Sequence, residues 1–240
     1  MARKIKIDNA VLKRLERKQQ KEIKCKKILC RILIVCEGEK TEPQYFKKFK
    51  AKNNNSFTYE VKCEGCGEGT IKVVNTAIEL AKKAEFLSQP FDSVWAVFDK
   101  DNFADFNAAI EKAENNNINV AWSNEAFELW YLYHFHNRTT RMSRNDYKKA
   151  ISDAVNATGK WPKKQPYEYK KEDENNYDIM NTYGNMRNAI SWAKKQHQTF
   201  TGKDYASQNP CTTVYKLVLQ LLNEDKELIE TVMNKINSPN

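Results

Sequence analysis

The chain has 240 residues, a length typical of one domain or of one domain with an appended subdomain. Hydrophobic residues make up 40% and charged residues 30% of it, and its mean hydropathy is -0.79, which is the composition of a soluble protein with a real core. No segment approaches the roughly 18 consecutive apolar residues of a transmembrane helix, and the N-terminal region lacks the apolar block of a signal peptide. We therefore expect a cytoplasmic protein that does not enter a membrane.

Most of the positive charge lies at the start of the chain. Of the formal net charge of +9, residues 1–27 carry +8, from eleven Lys or Arg residues and three acidic ones. Such a basic arm favours contact with a polyanion, because basic side chains displace the counterions of phosphates. A solvated tail that keeps the protein soluble is an equal alternative. The candidate nucleic-acid contacts in the arm are Arg3, Lys4, Lys13, Arg14, Arg17 and Lys18.

The first half of the chain alternates short apolar runs with helical patterns. Arg31–Cys36 and Ser93–Phe98 are continuous apolar runs, which predict strands buried on both faces of a sheet. Strands that alternate with helices indicate right-handed βαβ crossovers and a parallel sheet. The predicted order is strand 31–36, helix 41–50, strand 57–63, helix 70–86, strand 93–98, helix 103–115 and strand 118–122.

The second half of the chain is predicted to be helical. Apolar residues recur at helical spacing over 125–135, 144–155, 177–197 and 212–222, and residues 159–176 form a linker rich in Lys, Pro, Tyr and Glu. The sequence therefore predicts an α/β fold, a parallel sheet flanked by helices, with a helical C-terminal half. The predicted domains are the arm at 1–27, an α/β core at 28–136 and a helical subdomain at 137–240 packed on the core.

Acidic residues directly follow two of the predicted strands. Glu37 comes after the first strand, and Asp99 and Asp101 come after the third. The functional side chains of parallel sheets lie beyond the carboxyl ends of the strands, and residues i and i+2 of an extended segment project to the same side. Carboxylates gathered there would raise one another's pKa, and a hard divalent cation, Mg²⁺ or Mn²⁺, relieves that repulsion. An isolated DxD is as often a loop or helix-cap feature, but two aligned strand ends favour a metal site.

The cysteines offer a weaker metal pattern. Cys63 and Cys66 have the spacing of a zinc knuckle, and Cys25 and Cys30 could supply a second pair. The second spacing is loose, and the chain has only three histidines, so reduced and partly buried thiols are the favoured interpretation.

Five sequence blocks occur in an order that is known from one protein family. They are ILIVCEGEKTEPQYF at 32–46, VFDKDNF at 97–103, SNEAFELWYLYHF at 123–135, YKK at 169–171 and NPCTTVYKLV at 209–218. Together they resemble the RloB-like family, a Toprim-related group associated with phage defence. The resemblance implies a Toprim-like fold in which a glutamate and a DxD pair bind Mg²⁺ for phosphodiester cleavage.

The resemblance also assigns roles to individual acidic residues. Glu37 matches the motif glutamate, and Asp99 and Asp101 match the DxD pair. Glu42, one helical turn into the next helix, is implied as a further ligand or as a residue that orients one. Glu128 resembles the acidic residue that completes a second metal site in related nucleases. An ion pair with a basic side chain is the alternative for Glu128, and a role as general base is the alternative for Glu37.

Basic residues close to these blocks are candidates for contact with the substrate. Lys171 is implied as the positive charge that such nucleases use late in the chain. Lys40, Lys100 and His134 are expected to contact nucleic acid. For His134, a hydrogen-bonded position in the core is an equal alternative.

The sequence thus predicts a Mg²⁺- or Mn²⁺-dependent nuclease that acts on DNA or RNA in abortive infection. RloB-like proteins are often paired with an ATPase, and this chain has no P-loop, so we expect the ATPase to be a separate subunit. A homo-oligomer is compatible with the sequence. The alternative is a subunit that binds nucleic acid or a partner without cleaving. A phosphotransfer protein is disfavoured, because such folds need an aspartate after the first strand, where this chain has Glu37.

Overall fold

The structure is a computed structural model that describes residues 28–52, 57–65, 69–101, 104–162 and 164–237. Cys25 and Cys66 of the knuckle pattern lie outside the described residues. In the part of the chain that is described, no helix is long and apolar enough to cross a membrane. The basic arm also lies outside it, together with the predicted contacts Arg3, Lys4, Lys13, Arg14, Arg17 and Lys18.

Five strands form one sheet in the order β2-β1-β3-β4-β5. Strands β1 to β4 run parallel, and the short β5 pairs antiparallel with β4. The predicted α/β fold with a mostly parallel sheet is confirmed. The strands are β1 (Ile28–Cys36), β2 (Phe57–Gly65), β3 (Ser93–Asp99), β4 (Asn119–Asn124) and β5 (Cys211–Thr212).

The described residues also form nine α-helices, and the C-terminal half is helical as predicted. Helices α2 and α3 cover one face of the sheet, whereas α1 and the C-terminal helices cover the other. Short 3-10 turns lie at Arg144–Asp146 and Tyr205–Ser207. The helices are α1 (Thr41–Lys52), α2 (Thr70–Phe86), α3 (Phe106–Glu114), α4 (Glu128–Leu132), α5 (Tyr147–Ala157), α6 (Asn176–Tyr183), α7 (Met186–His197), α8 (Val214–Leu221) and α9 (Lys226–Asn237).

Successive residues of β1 alternate between the two faces of the sheet. Ile32 and Ile34 belong to the core shared with α1 and the C-terminal helices, whereas Leu33 and Val35 belong to the core under α2 and α3. All four side chains are fully buried. A sheet covered on both faces excludes water from both sets of side chains, which explains why the strand sequence is continuously apolar.

One predicted helix is two helices in the structure. The expectation of a single helix over 177–197 was wrong, because the helix is interrupted at Gly184, between α6 and α7. A Cβ at Gly184 would lie 2.7 Å from His134 Cβ and 2.7 Å from Met180 O, so the backbone passes too close to its neighbours for a side chain. Asn185 then begins α7, and its side chain accepts a hydrogen bond from Asn188 N at 3.1 Å.

The C-terminal half also contributes a strand, which the sequence analysis did not predict. The helix expected over 212–222 begins at Val214, because Cys211 and Thr212 pair with the end of β4. The helix expected over 125–135 is confined to α4, since β4 continues as far as Asn124. Residues 137–240 therefore share both a sheet and a hydrophobic core with residues 28–136.

The segment 159–176, which we expected to be a surface linker, is partly buried. Tyr167 and Tyr169 are only 5% and 2% exposed. Tyr169 packs edge-to-face against Tyr131 with ring centroids 6.1 Å apart, and Tyr167 N donates a hydrogen bond to Asn156 Oδ1 at 2.8 Å. These contacts fix the path of the segment and carry Lys171 to the edge of the sheet.

Three of the cysteines that the structure describes form no disulfide. Cys30, Cys36 and Cys211 are all buried. Burial raises the pKa of Cys30 and of Cys211 to about 12, so these two thiols stay protonated. They match the expected reduced and buried cysteines.

Candidate metal centre

The ends of β1 and β3 lie side by side at the carboxyl edge of the sheet. Cys36 pairs with Val97, and Glu37 N continues the ladder by donating to Val97 O at 2.9 Å. The backbone N–H of Asp99 donates a hydrogen bond to Glu37 Oε2 at 3.1 Å. The structure thus brings together the two acidic strand ends that the sequence analysis singled out.

Helix α1 adds a third carboxylate to this edge. Glu42 is 4% exposed, and its Oε2 has no hydrogen-bond partner among the described residues. Gly38 leaves room for this carboxylate, because a Cβ at position 38 would collide with Glu42 Oε2. A buried carboxylate oxygen without a donor is costly, so Glu42 Oε2 is suited to a cation that is not part of the chain.

Glu128 adds a fourth carboxylate from the start of α4. It is 6% exposed, and its Oε1 accepts a hydrogen bond from Tyr169 OH at 3.0 Å. Lys171 Nζ lies 4.0 Å from the same oxygen, and Thr41 Oγ1 donates to Lys171 O at 3.2 Å. Tyr169 was not among the predicted site residues, although it begins the YKK block.

Asp101 lies further along the same edge and pairs with Arg144. Arg144 Nη2 contacts Asp101 Oδ1 and lies 3.9 Å from Asp99 Oδ2. Glu125 holds this arginine in place, because Glu125 Oε2 accepts from Arg144 N at 3.1 Å and Glu125 O accepts from Arg144 Nη2 at 2.6 Å. The sequence analysis missed Arg144 as a site residue. A single arginine at the start of a helix belongs to no sequence motif. The one indication of it was indirect, since buried carboxylates require a positively charged partner somewhere in the chain.

Burial and mutual repulsion raise the pKa values of these carboxyl groups. Burial raises the pKa of Glu37 to about 7, against the hydrogen bond from Asp99 N, and the charges of Asp101 and Glu42 add to the increase. The pKa of Asp99 is raised by burial first, and then by the charges of Glu42 and Glu128. Burial and the charge of Glu128 also raise the pKa of Glu42. The folded chain therefore concentrates negative charge where water cannot screen it.

This donor set fits a hard divalent cation. It consists of carboxylate oxygens, which Mg²⁺ and Mn²⁺ prefer. As the side chains stand, no three His, Cys, Asp or Glu groups of the described residues enclose a metal position. Arg144 and Lys171 supply part of the positive charge instead, and Glu42 Oε2 remains unpaired by any described residue. A cation held here therefore requires the carboxylates to turn toward one another.

The structure places the predicted basic residues differently. Lys40 Nζ is exposed and pairs with Glu172 at 2.9 Å, and Lys100 Nζ contacts Asp101 O, so both lysines lie at the rim of the acidic edge. His134 is 1% exposed, its Nδ1 lies 3.0 Å from Trp130 O, and burial lowers its pKa to about 4. His134 therefore occupies a hydrogen-bonded position in the core, which was the alternative to a contact with nucleic acid. The expected contact between His134 and a phosphate is not available in this conformation.

A family comparison covers the whole of this acidic edge. The family described as RloB-like protein matches residues 32–221, which is most of the chain. The chain belongs to the RloB-like protein family. No curated protein and no solved structure matches it. In this RloB-like protein, all of the acidic residues described above lie inside the matched region, whereas the basic arm precedes it.

Proposed function

We propose that this RloB-like protein is a metal-dependent nuclease of the Toprim type, which hydrolyses phosphodiester bonds in DNA or RNA. The observation that carries the proposal is the gathering of Glu37, Glu42, Asp99 and Glu128 at one edge of the sheet, with raised pKa values for the first three. Carboxyl groups with strongly perturbed pKa values are concentrated at functional sites. Their mutual repulsion lowers the stability of the fold, so such clusters are kept where they serve a function. A cation placed beside a phosphodiester accounts for this arrangement.

The acidic residues divide into two groups of candidate ligands. Glu37, Asp99 and Asp101 would hold Mg²⁺ or Mn²⁺, and Glu42 and Glu128 would serve a second position. A divalent cation bound there would stabilise charge on the phosphate and lower the pKa of a water molecule. Three of the five carboxylates, Glu42, Asp99 and Glu128, are buried, and Glu37 and Asp101 are partly buried, so water screens their charge little at the position of the phosphate.

Basic and hydroxyl groups of the chain would orient the substrate and the ligands. Lys171 has a half-exposed side chain beside Glu128, where its ammonium can contact a phosphate oxygen of a bound substrate. Tyr169 holds Glu128 Oε1 through its hydroxyl, as residues behind metal ligands commonly do. Lys171 and Tyr169 therefore act at the same carboxylate, one from the solvent side and one from the core.

Glu37 is also a candidate for the general base. Its pKa of about 7 means that the carboxylate exists near neutral pH and still accepts a proton there. The hydrogen bond from Asp99 N holds Oε2 against β3, so Oε1 is the oxygen that would take up the proton.

A second function has support from one feature of the site. Arg144 pairs with Asp101, and Lys171 lies near Glu128, so the chain already neutralises part of its acidic edge. A subunit that binds nucleic acid or a protein partner without cleaving it would need no more than this. In that case the acidic edge is a structural or regulatory cation site.

We also propose a biological setting from the family resemblance. An RloB-like nuclease would act in antiviral defence by abortive infection, in the cytoplasm, together with a separate ATPase subunit and in a homo-oligomer if the subunits pair. The pairing with an ATPase is taken from the family resemblance, and any such ATPase would be a separate chain because this sequence contains no P-loop.

Incubation of the full chain with plasmid, single-stranded DNA and total tRNA tests the proposal, each in Mg²⁺, Mn²⁺ or EDTA and with or without the ATPase. We expect cleavage that requires a divalent cation and is lost in Asp99→Asn and in Glu37→Gln. Asp153→Asn is the matched control, because Asp153 is an exposed residue of α5 that pairs only with Lys149. Binding without cleavage under every condition would favour the non-cleaving subunit instead.

A further inference from the structure

A second polar depression adjoins the acidic edge. Its volume is about 610 Å³, and it shares Asp101 and Arg144 with the carboxylate cluster. The wall opposite Asp101 is made by residues that follow β4, precede α5 and precede β5, which the fold brings to one place. A cavity of this size falls within the range of small-molecule sites. We call it the amide depression, since Asn124, Asn145 and Asn209 line it.

The amide depression carries more positive than negative charge. Lys100, Arg141 and Arg144 line it, against Asp101 and Glu125. Both acidic groups are already engaged by Arg144. Arg141 is exposed, and no carboxylate of the described residues pairs with its guanidinium. A guanidinium without an acidic partner, beside a lysine, is suited to a phosphate group.

The three amides add a chemistry that a phosphate does not need. Asn209 Oδ1 is buried and has no hydrogen-bond partner among the described residues, and its Nδ2 makes only a long contact of 3.4 Å to Glu125 Oε1. Asn124 Nδ2 donates to Ala206 O at 3.0 Å, and Asn145 is exposed at the mouth. Asparagine side chains present one donor and one acceptor side by side, which is the pattern that matches the edge of a nucleobase. Asn209 Oδ1 is covered as the side chain stands, so the amide must rotate for this oxygen to accept a hydrogen bond from a ligand, which would end its unpaired state.

We infer that the amide depression binds one unpaired nucleotide, the one next to the scissile phosphate; this inference rests on the proposed nuclease function. Arg141 and Lys100 contact its phosphate, and the amides contact the edge of its base. The edge contacted in this arrangement is the Watson–Crick edge, which is open only in an unpaired base, so the substrate class is single-stranded or locally unpaired nucleic acid.

Arg144 connects the amide depression to the acidic edge. Its guanidinium contacts Asp101 and lies 3.9 Å from Asp99, while its backbone is fixed by Glu125. A nucleotide phosphate held beside Arg144 therefore lies next to the carboxylates. Glu125 is a positioning residue in this arrangement, because its carboxylate and carbonyl hold Arg144 and Asn209.

Equilibrium binding in EDTA tests the inference without any cleavage. The probes are fluorescent single strands of about 12 nucleotides, as DNA and as RNA, and a duplex of the same sequence. The full chain is used throughout, so that the basic arm contributes equally to every variant. We expect Arg141→Gln to weaken single-strand binding about 5- to 10-fold and to reduce the slope of log Kd against log salt by about 1. Asn145→Ala and Asn209→Ala should weaken it about 3- to 10-fold without changing that slope.

Matched controls separate the depression from general basicity and from misfolding. Lys148→Gln removes an exposed cation of α5 that lies outside the depression. It should reduce single-strand affinity less than about 2-fold, whereas Arg141→Gln should reduce it roughly 5-fold or more. Urea unfolding midpoints of all variants should match the parent chain. Asn145 is exposed, so Asn145→Ala serves if Asn209→Ala fails to fold. The probe that binds with the higher affinity, DNA or RNA, identifies which sugar the site accepts.

The failures of the two proposals are distinguishable. Single-strand affinity unchanged in Arg141→Gln and in Asn145→Ala, or equal losses on the duplex, would overturn the amide depression even if Asp99→Asn abolishes cleavage. Selective loss of single-strand binding in these variants would support the depression even if no condition produces cleavage.

Discussion

The two ends of the parallel sheet differ in how their polar groups are paired. At the amino end, Gln220 Oε1 accepts hydrogen bonds from Ser93 Oγ at 2.9 Å and from Trp95 Nε1 at 2.8 Å, and Gln220 Nε2 donates to Asp225 at 2.9 Å. At the carboxyl end, Glu42 Oε2 has no partner among the described residues, and the pKa values of Glu37 and Asp99 are raised. The polar groups named at the amino end have hydrogen-bond partners, whereas the carboxylates at the carboxyl end repel one another.

The size of a depression therefore does not identify the functional end of the sheet. A depression of about 560 Å³ lies at the amino end, next to Ser93 and Gln220, and is nearly as large as the amide depression of about 610 Å³. Ser93, Gln220 and Asp225 in this depression already bond to one another, so they gain little from a ligand. Groups that the fold leaves unsatisfied mark the end where a ligand lowers the free energy.

The largest expected effect is on Glu42→Gln, which removes a charge from the repulsive end. Cleavage should fall at least about 100-fold, since loss of even an outer residue of a metal site typically costs 10- to 100-fold. The metal-free protein should be as stable as the parent chain or more stable, because a repulsive charge is gone. Cleavage rates and urea unfolding in EDTA measure the two effects. Glu39→Gln, an exposed glutamate three residues earlier, is the control; equal loss of cleavage in both variants would contradict the assignment.

Gln220→Ala should give the reverse result at the satisfied end. It strands the buried polar groups of Ser93 and Trp95, so the free energy of unfolding should fall by about 1 to 3 kcal/mol. Cleavage should be unchanged below the unfolding transition. Lys226→Ala, an exposed residue of the same depression, should change stability by less than about 0.5 kcal/mol. A loss of cleavage in folded Gln220→Ala would remove the distinction between the two ends.

Tyr169→Phe tests whether the hydroxyl behind Glu128 serves function or packing. The ring stays, so the unfolding free energy should fall by no more than about 1.5 kcal/mol, while cleavage or metal affinity should fall about 10-fold. Tyr167→Phe is the control, because Tyr167 OH makes only a 3.4 Å contact with Asn176 Oδ1. Metal titration followed by thermal unfolding measures the affinity. Equal effects of the two substitutions would assign Tyr169 to packing alone.

The pH dependence of stability tests the raised pKa of Glu37. The pKa of Glu37 is about 7 in the folded chain and 4.5 ordinarily, so the folded state holds more protons than the unfolded state between these values. The unfolding free energy of the metal-free protein should therefore fall as pH rises from about 4.5 to about 7, and Glu37→Gln should flatten that slope. Mg²⁺ should stabilise the protein more at pH 8 than at pH 5, because protons compete with the cation for the same carboxylates. A slope that is identical in Glu37→Gln would contradict the raised pKa.

Local patterns were enough to predict the sheet and the acidic strand ends. The apolar runs of β1 and β3 and the acidic residues after them are contiguous in the sequence, and parallel strands necessarily share one carboxyl edge. The helix break at Gly184 was not predictable from periodicity, because its cause is the approach of His134, which is fifty residues away in the sequence. The family match over residues 32–221 extends the local patterns to most of the chain.

Neighbouring residues in the sequence suffice to predict the α/β class, the order of β1 to β4 along the chain and the positions of Glu37, Asp99 and Asp101 at strand ends. Only the tertiary structure decided that Tyr169 meets Glu128 across 41 residues, that Arg144 pairs with Asp101, and that Cys211–Thr212 closes the sheet. Burial of charge is a property of all the elements packed around a site. The residues that balance the carboxylates are therefore fixed by the fold and leave no local pattern.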